Sequence, residues 1–107
     1  MTDTTHRPGG PQSKRAALLG TNPRFRLYLD QRRRHGQGLS REQLPDGTHT
    51  EADAADFIRD ACGVTSRAEI DHNPAAREML DRIVADYQRW ERRQLAMRQH
   101  TEQRRAG

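Results

Sequence analysis

The sequence contains one cysteine, Cys62, and one lysine, Lys14. A single thiol excludes an intramolecular disulfide, as befits a protein of the reducing cytosol. No apolar run reaches ten residues, which excludes a membrane-spanning helix of about 20 apolar residues. Residues Met1 to His6 lack the apolar segment of a secretion signal, and the expected location is cytoplasmic. Aromatic residues are few: two Phe, two Tyr and one Trp. Hydrophobic residues make up 32% of the chain, against about 45–50% in an ordinary globular domain. So small a core gives marginal stability by itself, and a partner or second copy would add to it.

The signatures of catalysis are missing too. There is no nucleophile elbow, P-loop or dinucleotide-binding glycine pattern. The histidines, His6, His35, His49, His72 and His100, are scattered. His49, Glu51 and Asp53 lie close in sequence, but acids just after Thr50 are explained by the first turn of a helix. The reading is a non-enzymatic protein with no cofactor and no metal.

Arginine is abundant: eighteen of the nineteen basic residues are Arg. Its planar fork suits bidentate contacts to phosphate or carboxylate. The net charge of +4 hides a segregation. Residues 1–47 hold nine basic and four acidic groups, residues 48–88 four and nine, and residues 89–107 six and two. Two basic ends therefore flank an acidic middle. Basic ends can meet nucleic acid or an acidic protein, or the chain's own acidic patch.

The segment from Asn73 to about Arg104 organises the rest. Asn73-Pro74 is a helix start, with Asn as cap and Pro at the first helical position. Ala76, Leu80, Ile83, Tyr87, Trp90, Gln94 and Met97 then recur at alternating spacings of four and three, which places them on one helical face. Some thirty helical residues span about 46 Å, against about 30 Å for a small domain. The helix is expected to outrun its domain and offer its far end to water, a second copy or a partner.

Thr21-Asn22-Pro23 repeats the capped start, and Phe25, Tyr28 and Leu29 follow at helical spacing. Arg32, Arg33, Arg34 and His35 complement the dipole of a last turn that Gly36 would close. The rival for residues 24–29 is a strand, since Phe25, Leu27 and Leu29 alternate with Arg24, Arg26 and Tyr28. Residues 36–49 read as a loop with a Pro45-Asp46-Gly47 turn. Thr50 to Asp53 resembles a capping box, and Ala54, Phe57, Ile58, Ala61 and Cys62 make an apolar stripe ending at Gly63. Ser66-Arg67-Ala68-Glu69 is a second box. The predicted fold is all-α, with helices near 23–35, 51–62, 67–71 and 74–103. Residues 1–20 form a flexible basic arm with at most a turn at Ala16 to Leu19, residues 21–97 a helical domain, and residues 98–107 a basic helical extension.

A helix-turn-helix around Gly63 fails on spacing. The position four before the glycine, where helices cross closely, is Arg59, and the position six after it is Glu69 rather than an apolar residue. The stronger candidate surface is Arg89, Trp90, Arg92, Arg93 and Arg98, supplemented by Arg32, Arg33 and Arg34. Arginines interleaved with an aromatic hold a phosphate backbone and stack a base, and Trp with Arg also anchors protein interfaces. The competing reading has Trp90 and Tyr87 closing the core with the arginines solvated.

Residues Ala55 to Leu80, with a Cys-Gly turn, a Ser-Arg-Ala-Glu box and an Asp-His-Asn-Pro-Ala helix start, resemble the C-terminal part of small uncharacterised proteins of phages and prophages. The resemblance implies a mobile-element setting and brings no catalytic or binding residue. The expected function is accessory: binding nucleic acid or a nucleoprotein complex through Arg-rich ends. The alternative is a protein inhibitor or adaptor acting on a host complex, such as a defence system. A homodimer through the long helix is a further expectation.

Overall fold

Each helix begins where a side chain or a proline can replace a missing backbone partner. The computed structural model describes residues 10–106, with side chains for residues 10–100. The order is α1 (Pro11–Thr21), α2 (Pro23–Gln37), α3 (Glu51–Cys62), a 3-10 helix (Arg67–His72) and α4 (Pro74–Ala106). The described residues contain no strand, so the fold is all-α, and residues 24–29 are helical.

Local signals set most boundaries. Asn22 Oδ1 accepts from Arg24 N at 2.9 Å and opens α2. Thr50 and Asp53 exchange hydrogen bonds in a complete capping box at α3, as Ser66 and Glu69 do at the 3-10 helix. Asn73 Oδ1 accepts from Ala76 N at 3.2 Å and opens α4. The end of α2 corrects the expectation: Gly36 stays inside the helix, which stops at Gly38 with φ +64°. A left-handed residue there lets its N–H close onto the preceding turn.

The basic arm expected over residues 1–20 is replaced by helix from Pro11 onward, while residues 1–9 lie outside the described residues. The reason is tertiary. Asp71, at the end of the 3-10 helix, accepts from the backbone N–H groups of Gly10 and Gln12, both at 2.8 Å, and of Ser13 at 3.1 Å. A distant carboxylate thus caps α1, and Ala16, Leu19 and Gly20 are buried beneath it.

The core runs along α4 from Ala76 through Leu80, Ile83 and Tyr87 to Trp90, with Ile58, Ile70 and Phe25 packed against it. Cys62 is buried there, and desolvation pushes its thiol upward. All five aromatic side chains join one cluster. Phe25 meets Tyr28, Phe57 and Tyr87 at ring-centroid distances of 5.7, 6.3 and 5.5 Å, and Trp90 meets Tyr28 and Tyr87 at 5.7 and 5.9 Å. Such contacts stabilise by about 0.5–1.5 kcal/mol each beyond area burial. Their polar tips are paired: Trp90 Nε1 donates to Gln31 Oε1 at 3.0 Å, and Tyr87 Oη donates to Glu91 at 3.0 Å.

Among the described side chains, buried positions on α4 stop at Trp90. Gln94 is half-buried, and Leu95 and Met97 are 54% and 63% exposed. The remaining turns project, and the molecule measures 66 × 28 × 23 Å. The helix does outrun its core.

Candidate nucleic-acid interface

The aromatic cluster fixes α2 against α4, and that packing brings two separate arginine groups together. Arg32 of α2 lines a recess of about 320 Å³ with Arg82 and Arg89 of α4. Tyr28, Met79, Ile83, Ala85 and Asp86 complete its walls. Three arginines thus share the recess with a single carboxylate, leaving an excess of positive charge.

Asp86 is the organiser. Its carboxylate accepts from Tyr28 Oη at 2.5 Å and from Arg89 Nη2 at 2.8 Å. The Tyr28 hydroxyl, then the Arg89 guanidinium, hold Asp86 below its ordinary range. Burial, with help from the same hydrogen bond, pushes Tyr28 up to about 12. Asp86 is therefore an acceptor at neutral pH, and Tyr28 a fixed donor.

Beyond the recess the basic surface continues. Arg92 and Arg93 are exposed on the turns past the core. At 3.6 residues per turn, Arg82, Arg89 and Arg93 lie within about 40° of one another around α4. Arg98, also exposed, falls on the opposite side, in line with Leu80 and Tyr87.

The other sequence-derived positions separate. Trp90 is 6% exposed, stacked on Tyr87, with Arg24 lying 5.7 Å over its ring. It closes the core and its faces are occupied, so it offers no platform to a base. Arg34, whose side chain is 11% exposed, donates to Leu44 O at 2.9 Å and pairs with Asp46 at 2.8 Å, pinning the loop after α2. Arg33 is exposed and lines a different recess with Phe57 and His49. The run Arg32 to Arg34 thus divides: Arg32 and Arg33 share this second recess, Arg32 reaches the first as well, and Arg34 turns to the loop.

Arg82 lies four residues from both Glu78 and Asp86 on α4, a spacing that allows ion pairs. Asp86 is engaged by Arg89 and Tyr28 instead, and Asp81 pairs with Arg15 of α1 at 2.5 Å. Arg82 is not among the candidates the sequence singles out; only the α2–α4 crossing shows that it converges with Arg32 and Arg89. Asp30, which sequence reading passed over, is wholly buried. It accepts from Gly47 N at 2.7 Å and from the Thr48 hydroxyl and His49 Nδ1 at 2.5 Å each. Burial opposes its charge, but the His49, Thr48 and Gly47 donors outweigh it and lower its pKa. No sequence signal singles out one aspartate in a helix as the buried one.

Among the described residues no three His, Cys, Asp or Glu side chains group so as to hold a metal ion. No helix among them is long and apolar enough to cross a membrane. The arrangement is that of a small helical domain with one basic face. Comparison of the chain with protein-family models, curated proteins and solved structures returns no match.

Proposed function

We propose that this chain is a non-enzymatic accessory protein, from a phage or other mobile element, that binds nucleic acid or a nucleoprotein complex. The observation that carries the reading is the meeting of Arg32, Arg82 and Arg89 in one recess, prolonged along α4 by Arg93, with Arg92 about a quarter turn away. Guanidinium groups on a rigid helix, spaced over several turns, match a phosphate backbone better than a single small anion. The mobile-element setting rests on the resemblance of residues 55–80 alone.

Titration of a labelled oligonucleotide at increasing salt tests this reading. Four phosphate contacts give a slope of log K against log salt of about −3 to −4. Arg93→Glu weakens binding and flattens that slope while leaving the fold unchanged. A flat salt response, or no binding at low salt, removes the proposal.

A second reading, an inhibitor or adaptor of a host protein complex, draws on the projecting end of α4, where Leu95 is exposed beside Arg92. A pull-down from host lysate with and without nuclease separates the two. A partner retained after nuclease treatment favours the adaptor.

A further inference from the structure

A second recess, of about 410 Å³, opens beside the basic face where the C-terminal half of α2 meets α3. Leu29 and Phe57 supply its apolar part, and Arg32, Arg33, Gln37 and His49 its polar part. The volume falls in the range of small-molecule sites, about 300–1,000 Å³. The mix suits a planar heteroaromatic ring better than a bare anion. Arg32 lies 5.2 Å over the Phe57 ring, and a guanidinium plane is itself a surface on which bases stack. The positive charge of Arg33 is partly offset by Asp53, whose carboxylate is held below its ordinary range chiefly by the Thr50 hydrogen bonds.

His49 completes the donor set of the buried Asp30, and the same contact orients its ring. Gly47 N and Thr48 Oγ1 already tie the loop to Asp30. The third bond, from His49 Nδ1 to Asp30, helps satisfy that carboxylate and fixes the ring. With Nδ1 engaged by a carboxylate, Nε2 is the nitrogen left to a ligand: a donor when the ring is protonated, an acceptor from a base N–H when it is not.

The two recesses share one residue, Arg32. A chain of phosphates crossing Arg82 and Arg89 would therefore pass the mouth of the pocket within the reach of one arginine side chain. From this geometry we infer that the Leu29–Phe57–His49 recess receives one unstacked base of a single-stranded nucleic acid whose backbone lies on the Arg32–Arg82–Arg89 face. The inference rests on the nucleic-acid reading above and narrows it, because a paired base in a duplex cannot enter.

The test is fluorescence anisotropy with a labelled twenty-nucleotide oligothymidine and with a mixed-sequence duplex of equal length, at one low salt concentration. The single strand binds about five- to tenfold more tightly than the duplex, the discrimination expected from one stacked base. Arg33→Ala and His49→Ala remove that preference by weakening the single strand alone, whereas Arg93→Ala weakens both polymers together. Arg33 is exposed, so its variant keeps the fold even if the His49 variant does not, and circular dichroism checks both. Equal affinity for the two polymers, or an equal loss on both in the Arg33 variant, overturns the base pocket while leaving a backbone-binding protein. Binding of neither polymer overturns the broader reading as well.

Discussion

A carboxylate with no exposed surface must be surrounded by donors, and Asp30 is. Gly47, Thr48 and His49 converge on it from one short loop. Asp30→Asn keeps the shape but replaces one acceptor oxygen by a donor NH2 that faces donors. The expected loss is about 1–3 kcal/mol, the cost of leaving buried polar groups unmatched, read from the urea midpoint. Its lowered pKa also sets a direction with pH. A carboxyl held below its ordinary range stabilises the fold above the unfolded-state pKa, about 3.9 for Asp and 4.3 for Glu, and that contribution fades as pH falls through the folded value. Asp30, Asp53, Glu69, Asp71 and Asp86 are all shifted downward. The urea midpoint should stay level between pH 7 and about 5 and drop below about 4. An unchanged midpoint at pH 3 would refute this. Trp90 belongs to the same scale. Buried among Tyr28 and Tyr87, it supports the fold, and Trp90→Ala should cost about 3–5 kcal/mol. Lost partner binding in that variant would report unfolding, which is why Arg93→Glu is the informative change.

At the level of elements, the reach of each cap decides what could be read in advance. Asn22, Thr50, Ser66 and Asn73 serve N–H groups two or three residues away, so α2, α3, the 3-10 helix and α4 announce their starts in the sequence. Helix α1 does not. Its cap, Asp71, lies about sixty residues further on, and its buried face is small, consisting of Ala16, Leu19 and Gly20. The breakers around Gly9, Gly10 and Pro11 therefore suggested an arm. The same contact makes α1 separable. Asp71→Ala should raise amide exchange through residues 12–21 while the core turns of α4 around Leu80 and Ile83 stay protected. Gly10→Ala should act alike, because a Cβ there would stand 2.9 Å from Asp71 Oδ1. Equal exchange rates across α1 in the native chain and both variants would show that its apolar contacts and the Arg15–Asp81 pair hold the helix without Asp71.

For the whole molecule, the heptad-like stripe revealed a helix longer than its domain but not where burial ends. The stripe residues Ala76 to Trp90 are buried in the core, whereas Met97, on the same stripe, is 63% exposed. The candidate face was half legible in the same way. Charge pointed to Arg32 and Arg89, but their convergence depends on aromatic packing between helices fifty residues apart, and the Asp30–His49 pair on a loop closing over α2. These facts make one cut informative. A chain ending at Gln94 keeps every described residue that is buried, together with Arg32, Arg82, Arg89, Arg92 and Arg93. Its thermal midpoint should fall by less than about 4 °C, the shift expected from under 1 kcal/mol in a domain this size. If the basic face between α2 and α4 carries the interaction, oligonucleotide affinity should stay within about threefold of the full chain at matched salt, because Arg98 lies on the far side of α4. If the projecting turns are the docking element, as the adaptor reading requires, the shortened chain folds but loses its partner. Measuring melting and binding on that one variant therefore separates a face that belongs to the folded body from a tip that only extends beyond it.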